Sequence, residues 1–320
     1  MSKFYTPLRY PGGKQKLAPF IREVLAENDL TGGCYVEPYA GGSGVAIDLL
    51  ITGEVSNIYL NDSCKGIYAF WRSVLRAPDD LCRRISRAVL TVNEWQRQRE
   101  IFLHPSGHSL LELGFATFYL NRCNRSGILC GGLIGGLGQK GKWKMDARFT
   151  KKNLIARIEM IAEYSRFITV TNKDAVDYIS HNIPKLPRKC LVYFDPPYYR
   201  KANRLYPNYY QESDHEDIAN VIQKKVARRW LVSYDSCAEI ARFYRGRRQF
   251  VYNLQYNAAI AYKGKELIIA SDNLKLPGDS AVPSISTVLN AKTRRFLASR
   301  LSSVSASQSN RRSTASYLRI

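Results

Sequence analysis

The sequence predicts an α/β fold. Seven short segments have the composition of β-strands, and helical patterns or glycine turns follow several of them. These segments are 34–37, 58–62, 167–174, 191–195, 230–235, 250–254 and 266–270. With 320 residues, 45% of them hydrophobic, the chain can hold one sizeable core and a smaller module.

The alternation of strands and helices stops between residues 63 and 161. Residues 66–103 carry apolar side chains at helical spacing, and a second helix is predicted over 110–120. The chain therefore divides into the first half of the sheet domain (1–62), a helical and loop insert (63–161), the second half of the sheet domain (162–276) and a basic, serine-rich tail (277–320). The tail has few apolar residues, and we expect it to be disordered.

The charge of the chain favours a polyanionic partner. It carries 48 Lys and Arg against 27 Asp and Glu, a net charge of +21. This balance indicates nucleic acid binding. An anionic membrane is the weaker alternative, because no apolar run approaches the ~20 residues of a spanning helix. The first residues lack the apolar core of a signal peptide, so we expect a cytoplasmic protein.

The seven cysteines and four histidines carry no recognisable metal or disulfide pattern. No CxxC pair occurs, and the histidines lie at no ligand spacing. The sequence therefore predicts no metal site, and the thiols are interpreted as reduced and mostly structural.

The segment from Tyr10 to Lys14 reads Tyr-Pro-Gly-Gly-Lys and precedes a helical pattern. Glycines before a helix start and a lysine in its first turn suit a carboxylate or a phosphate. The spacing of a P-loop is absent. Taken alone, the segment is more typical of a solvated turn.

A second glycine-rich turn runs from Glu37 to Gly44, between a predicted strand and an apolar helix. Strand, glycine turn and helix are the arrangement that lets a nucleotide approach the backbone. The acid precedes the glycines, so Glu37 suits the cationic end of a ligand better than a pyrophosphate. Asp62 ends the next strand, eighteen residues after Gly44, close to the ~20 expected for an acid that binds ribose hydroxyls. For each residue by itself, a purely structural role is the alternative.

Within the insert, polar and basic residues follow the helix over 110–120. The segment from Asn121 to Gly127 contains two Asn and two Arg, the side chains that bind adenine and guanine edges bidentately. Lys140 and Lys142 stand among glycines, where they suit phosphate contacts. The insert is predicted to read nucleic acid, and the alternative is a mobile basic loop.

The motif Asp195-Pro196-Pro197-Tyr198 ends an apolar strand and is the strongest indication of a reactive site. Proline removes a donor N–H, so carbonyl oxygens and a carboxylate are left as acceptors for an amino group. Tyr198 offers an aromatic face to a base, and the alternative is a strand end capped by Asp195. Asp174, at another strand end, is either a ligand contact or a helix cap.

After Tyr198, cations and tyrosines are interleaved, beginning with Arg200 and Lys201. This pattern fits a loop that holds phosphates and stacks on bases. A solvated lid is the alternative.

Taken in order, the four motifs resemble those of the Dam-type, alpha-class DNA adenine-N6 methyltransferases. Residues 10–14 resemble the N-terminal motif of that family, 37–44 its cofactor motif, 121–127 its target-recognition region and 195–198 its catalytic motif. The resemblance covers about residues 7–272. It implies a Rossmann-like methyltransferase fold, with a mixed seven-stranded sheet and a largely helical target-recognition insert. Ser43 stands where the family usually has the second glycine of its cofactor motif.

The resemblance also implies partners and site residues. The methyl donor would be S-adenosylmethionine, the substrate an adenine in double-stranded DNA, and no metal would be needed. We expect a nucleoid-associated monomer that could serve a restriction or defence partner. The cofactor-binding residues would be Tyr10, Gly12, Gly13, Lys14, Glu37, Tyr39, Gly41, Gly42, Ser43, Asp62, Asp174 and Asp195. The DNA-binding residues would be Asn121, Arg122, Asn124, Arg125, Lys140, Lys142, Arg200 and Lys201. The catalytic residues would be Asp195, Pro196, Pro197 and Tyr198.

Other activities are less well supported. Cytosine-C5 methylation needs a cysteine nucleophile, usually after a proline, and no Pro-Cys dipeptide occurs. Cytosine-N4 methylation presents a similar amine, but its enzymes more often carry Ser at the position of Asp195. RNA adenine methylation and a DNA-binding module without activity remain alternatives. A module without activity would not need the whole set of Lys14, Glu37, Asp62, Asp195 and Tyr198.

Overall fold

The structure is a computed structural model that describes residues 5–9, 14–199, 210–256 and 262–277. It gives only the backbone for residues 252–256 and 262–265. Five predicted site residues lie outside the described residues: Tyr10, Gly12, Gly13, Arg200 and Lys201. Residues 278–320, nearly all of the predicted tail, also lie outside them.

Seven strands and ten α-helices are formed by the described residues. The strands are β1 (Cys34–Glu37), β2 (Asn57–Asn61), β3 (Ile168–Thr171), β4 (Cys190–Phe194), β5 (Arg229–Asp235), β6 (Arg248–Tyr256) and β7 (Tyr262–Ala270). The helices are α1 (Ala18–Glu27), α2 (Gly44–Ile51), α3 (Lys65–Arg76), α4 (Pro78–Arg87), α5 (Val92–Leu103), α6 (Leu110–Cys123), α7 (Lys151–Glu163), α8 (Ala175–His181), α9 (Glu212–Lys225) and α10 (Ala238–Phe243). None of these helices is long and apolar enough to cross a bilayer.

The strands form one mixed sheet in the order β3-β2-β1-β4-β5-β7-β6. The first five strands are parallel, and β7 enters antiparallel between β5 and β6. The predicted seven-stranded α/β sheet is therefore confirmed. The strand order reverses between β1 and β4, where Val36 lies opposite Val192. In open α/β sheets, ligands bind beyond the carboxyl ends of the strands at such a point.

Both faces of the sheet are covered by helices. Side chains alternate along each strand, so Tyr35 and Tyr193 point into one apolar core while Val36 and Phe194 point into the other. Burial on both faces explains why the strand sequences read as continuous apolar runs.

The helices of the insert pack on the face of the sheet that carries Tyr35 and Tyr193, and they share the apolar core on that face. Helix α6 begins with a capping box formed by Ser109 and Glu112. It lies so close to α3 that a Cβ atom at Gly114 would stand 2.7 Å from the carbonyl oxygen of Ala69. Because α6 runs through the interior, its last residues are buried. They include Asn121 and Arg122, which were predicted to bind DNA.

Candidate active site

Strand β4 delivers Asp195 to the carboxyl edge of the sheet, beside the end of β1. The Asp195 side chain is 24% exposed, and its Oδ1 lies 3.3 Å from the ammonium of Lys14. Ser233 on β5 donates a hydrogen bond to the same oxygen at 2.8 Å, and the Ser233 hydroxyl also bonds that of Tyr193 at 2.7 Å. These contacts hold the carboxylate in a fixed orientation at a partly open site.

The environment of Asp195 raises the pKa of its carboxyl group to about 6. Burial is the main cause, and the nearby charge of Glu266 adds to it, while Lys14 and Ser233 act in the opposite direction. The group is therefore ionised at neutral pH and can accept hydrogen bonds.

A buried cluster of Lys14, Glu266 and Tyr198 adjoins Asp195. Lys14 forms a salt bridge with Glu266, and the Tyr198 hydroxyl donates to Glu266 Oε1 at 3.2 Å. Lys14 also donates to the Tyr198 hydroxyl at 3.3 Å. The side chains of Lys14 and Glu266 are only 7% and 3% exposed. The buried ion pair of Lys14 and Glu266 thus packs against the Asp-Pro-Pro-Tyr motif.

Glu266 was missed by the sequence analysis. It begins the apolar run Glu266-Leu-Ile-Ile-Ala on β7, and a single acid in a buried strand was the available signal. It reaches the site because β7 pairs antiparallel with β5, which sets Glu266 opposite Asp235 at the same edge of the sheet. Asp235 accepts the N–H of Tyr199 at 2.8 Å and so fixes the chain just after the catalytic motif.

Glu37 ends β1 next to Asp195 and is buried, with 5% exposed. Its Oε1 accepts the N–H of Ala46 in the first turn of α2 at 3.3 Å. Among the described residues it forms no salt bridge, and burial raises the pKa of its carboxyl group to about 8, with the charge of Asp195 as the next cause. Glu37 is consequently a buried acid to which a cationic ligand would restore the charge.

Asp62 follows β2 and holds the glycine turn. Its two oxygens accept the N–H groups of Gly41 at 2.8 Å and Cys64 at 2.9 Å. Burial raises the pKa of Asp62 to about 6, against the effect of these two bonds. A carboxylate has about four acceptor positions, so lone pairs remain for hydroxyl groups of a ligand.

The turn itself requires an unusual backbone at the position where the sequence departs from the family pattern. Ser43 has φ 45°, in the left-handed region that glycine adopts most readily. Its hydroxyl donates to the carbonyl of Ala40 at 3.1 Å, and the carbonyl of Gly42 accepts the hydroxyl of Thr6 at 2.5 Å. Tyr39, after Glu37, hydrogen-bonds Tyr210 through the hydroxyls at 3.2 Å.

Asp174 caps a helix, as one of its two interpretations anticipated. It lies at the N-terminus of α8, and its Oδ1 accepts the N–H groups of Val176 at 2.8 Å and Asp177 at 3.3 Å. Asp174 is exposed on the same edge of the sheet as Asp62. Within the described parts of the chain, no group of three or more His, Cys, Asp or Glu side chains is arranged to hold a metal ion.

The structure corrects the roles predicted for Asn121, Arg122 and Asn124. They are exposed by only 0%, 8% and 0%, because α6 ends in the interior. The Asn121 side chain accepts the N–H of Arg9 at 2.7 Å and donates to the carbonyls of Arg9 at 2.6 Å and Gly127 at 3.0 Å. Its amide is committed to the main chain and is not presented to a base.

The side chains of Arg122 and Asn124 are likewise hydrogen-bonded to the main chain. Arg122 donates to the carbonyls of Arg148 at 2.7 Å and Pro7 at 3.3 Å. Burial, followed by the repulsion of Arg9, lowers the pKa of the Arg122 guanidinium to about 9. Both Asn side chains and Arg122 therefore hold the segment after α6 in place from within, whereas Arg125, Lys140 and Lys142 are exposed.

Two neighbouring arginines should consequently behave differently when replaced by alanine. Arg122→Ala removes the donors of two inner carbonyls, and we expect the free energy of unfolding to fall by about 2–3 kcal/mol. Arg125→Ala should leave stability within about 0.5 kcal/mol and weaken DNA binding. Chemical denaturation and a DNA titration of both variants measure this contrast. An Arg122→Ala protein as stable as the wild type would contradict the buried role.

The fold and site define a class of protein. The described residues form a mixed, Rossmann-like sheet with acids at the carboxyl ends of β1 and β2 and Asp-Pro-Pro-Tyr after β4, which is the arrangement of a nucleotide-binding α/β protein. The family model described as D12 class N6 adenine-specific DNA methyltransferase matches residues 10–260. The chain belongs to this family and is an adenine-specific DNA methyltransferase.

Solved structures give distant likenesses. The chain is 14% identical to the rRNA methyltransferase aviRa from Streptomyces viridochromogenes, with 82% of this chain and 85% of that chain covered and a TM-score of 0.39. It is 10% identical to a precorrin-6y C5,15-methyltransferase from Geobacter metallireducens, with 78% and 87% covered and a TM-score of 0.32. No curated protein matches the sequence. The assignment therefore rests on the family match.

Proposed function

We propose that the protein transfers a methyl group from S-adenosylmethionine to N6 of an adenine flipped out of double-stranded DNA at a specific site. The observation that carries this proposal is the half-buried carboxylate of Asp195, fixed by Ser233 and Lys14 beside Glu37 at the point where the strand order reverses. An acceptor cluster next to a cofactor crevice suits an exocyclic amine. The family membership of the chain supports the same substrate.

The residues around the crevice fit S-adenosylmethionine. Glu37, buried and without a cationic partner among the described residues, would bind the amino group of the methionine part. Asp62 would bind the ribose hydroxyls, and Asp174 would lie toward the adenine end. Lys14 would bind the methionine carboxylate. The same Lys14 ammonium contacts Asp195, so the methionine carboxylate would lie close to Asp195. Tyr39 and the glycine turn at 41–43 would line the crevice that holds the cofactor.

At the reacting centre, this chain supplies alignment and charge stabilisation. The bound cofactor supplies a methyl group on a sulfonium, which is already a good leaving group. Asp195 and the carbonyl of Pro196 accept hydrogen bonds from the two N6 hydrogens, which localises the nitrogen lone pair for in-line attack. The carboxylate of Asp195 would stabilise the positive charge that develops on N6 when the methyl group is transferred, and the excess proton on N6 would then pass to solvent.

The target adenine must leave the duplex, at a cost of a few kcal/mol. Stacking on an aromatic ring returns ~1–3 kcal/mol per base. We propose Tyr198 as that ring; its hydroxyl is anchored on Glu266, which would hold the ring edge in place during stacking. Arg125, Lys140 and Lys142 would contact the DNA backbone, together with Arg200 and Lys201, which lie outside the described residues.

The proposal is tested by incubating the purified protein with duplex DNA and cofactor labelled in its methyl group. Nucleoside analysis of the digested product should find the label in N6-methyladenine. Label in N4-methylcytosine, or unlabelled DNA from a protein that binds the cofactor, would refute the proposed reaction.

Cofactor binding should release a proton from Glu37. With its pKa near 8 in the free protein, Glu37 is mostly protonated at pH 7, and the arriving amino group favours the ionised form. Affinity should therefore rise between pH 6 and 8, and about one proton should be released per cofactor at pH 7. Calorimetry at pH 7 in two buffers of different ionisation enthalpy measures that proton. Equal heats in both buffers would contradict the assignment, and Glu37→Gln is the control expected to release none.

A further inference from the structure

An open groove lies between α5 and the loop that follows α6. It has a volume of about 590 Å³. One wall is formed by α5, with Gln96, Arg99 and Glu100, and the other contains Arg125 and the glycine-rich segment 130–137. Residues three and four apart share a face of a helix, so Gln96, Arg99 and Glu100 present one polar surface to the groove. From the sequence, residues 66–103 were predicted only to be helical, and the reaction proposed above makes no use of this surface.

The guanidinium of Arg99 rests on a fixed support. It lies 5.7 Å from the ring centroid of Trp95, which is 7% exposed. The indole N–H of Trp95 donates to Asn124 Oδ1 at 2.7 Å. A cation over an indole face is attracted to it and loses part of its freedom before any ligand arrives.

The same Asn124 shapes the opposite wall. Its amide nitrogen donates to the carbonyls of Ile128 at 2.8 Å and Leu129 at 2.9 Å. The N–H of Arg125 donates to the carbonyl of Gly132 at 2.9 Å. The buried Asn124 therefore holds in place both the Trp95 ring that contacts Arg99 and the turn that contains Arg125.

We propose that this groove reads the edge of a G·C base pair in the DNA target, with Arg99 on guanine and Glu100 on cytosine. The inference deepens the proposed function and rests on it. Arg binds the O6 and N7 acceptors of guanine bidentately, and a Glu carboxylate accepts from the N4 amino group of cytosine. Gln96 adds an uncharged amide on the same face.

The charge pattern of the wall favours a base edge over a phosphate. A site for phosphate gathers cations and backbone N–H groups, and a carboxylate there would repel the ligand. Here the Glu100 carboxylate lines the same groove as Arg99, and one of its oxygens lies 3.6 Å from the imidazole of His104. The exposed Lys140 and Lys142 on the neighbouring loop supply the phosphate contacts that position the duplex.

The test compares methylation motifs in cells that express the wild type, Arg99→Ala or Arg97→Ala. Long-read sequencing maps methylated adenines and gives the base preference at each position of the motif. Arg99→Ala should lower the preference for G·C at one position by about 10- to 100-fold and keep the others. Arg97 stands on the same helix, 68% exposed beside Glu94 and outside the groove lining, and its replacement should leave the motif unchanged.

The outcomes distinguish a failure of the proposed function from a failure of the groove assignment. A wild type that methylates no adenine refutes the proposed function. A methylating wild type whose motif is unchanged in Arg99→Ala, with or without a uniform loss of activity, overturns the groove assignment alone. Should Arg99→Ala lose its fold on denaturation analysis, Arg99→Lys keeps the charge without the bidentate fork. It should relax the same position, and an unchanged motif would again overturn the assignment.

Discussion

Replacing Asp195 by alanine is expected to lower the rate of methyl transfer by about 1000-fold or more and to leave DNA binding within about threefold of the wild type. Loss of one preorganised hydrogen-bonding group at a reacting centre costs about 100- to 1000-fold in rate. Asp195 here is both an acceptor and the charge that stabilises a cationic nitrogen, so the upper end applies. Single-turnover transfer of labelled methyl groups, with a separate DNA titration, measures the two effects independently.

Asp195→Asn is the matched variant for this experiment. The amide keeps the volume of the carboxylate and loses its charge, and its NH₂ group presents donors where acceptors are needed. We expect a loss nearly as large as that of alanine. Asp217→Ala on the exposed face of α9 controls for the removal of a carboxylate elsewhere. Near-normal transfer by Asp195→Ala would refute the mechanism.

Folding of these variants should be largely retained. Asp195 is only one of the two carboxylates at Lys14, and Glu266 remains paired with the ammonium when Asp195 is removed. A near-normal unfolding transition would therefore show that the loss of transfer arises from chemistry.

The strand-end acids could be predicted from the sequence because their placement is encoded locally. Glu37, Asp62 and Asp195 each follow a short apolar strand, and parallel strands of one sheet end at the same edge. The seven strands follow from the same local patterns, whereas the stretch 66–103, predicted only as helical, forms three separate helices, α3, α4 and α5. The structure accordingly brings Glu37 and Asp195 together on the neighbouring strands β1 and β4.

The recognition residues could not be assigned in this way. Residue type indicates which bases Asn and Arg can bind, but it does not indicate the direction in which they point. The C-terminal half of α6 is apolar around its circumference, including Phe115, Ala116, Phe118 and Leu120, which indicates a helix buried on all sides. Read with that pattern, Asn121, Arg122 and Asn124 would have been predicted to be internal.

Glu266 could not be placed because its position depends on pairing that is distant in sequence. It reaches Lys14, which lies 252 residues away along the chain, only because β7 inserts antiparallel beside β5. A lone acid in an apolar strand predicts a buried partner, but the sequence does not say which one. The partners here are the lysine of the N-terminal motif and the tyrosine of the catalytic motif, so the strand couples the two.

Glu266→Gln is therefore expected to damage both the fold and the reaction. Removing one member of a buried ion pair leaves the other unneutralised and typically costs about 3–5 kcal/mol. The lower end, about 3 kcal/mol, is expected because Asp195 still lies 3.3 Å from Lys14. Lys14 would then attract Asp195 more strongly and compete with the adenine amino group, so we expect transfer to fall at least about tenfold.

For Glu266→Gln, we also predict the direction in which the pKa of Asp195 changes. Glu266 raises the pKa of Asp195, and Lys14 lowers it. Within the described structure, Glu37 on β1, Tyr193 on β4 and Ser233 on β5 also lie near Asp195, and the substitution leaves them in place. Without the charge of Glu266, the pKa of Asp195 must fall below about 6, and the acid limb of the rate profile must move to lower pH. A purely structural loss would lower the rate without moving the limb.

A double-mutant cycle with Lys14→Met decides whether the pair acts as a unit. Lys14→Met alone removes the ammonium that contacts both the buried Glu266 carboxylate and the partly buried Asp195 carboxylate, so it should also destabilise the protein by about 3 kcal/mol. The double variant, Lys14→Met with Glu266→Gln, removes both charges and should be less destabilised than the sum of the singles by about 1–3 kcal/mol. Denaturant unfolding of the four proteins measures this coupling. If the two losses simply add, Lys14 and Glu266 are independent, and the buried cluster does not organise the catalytic motif.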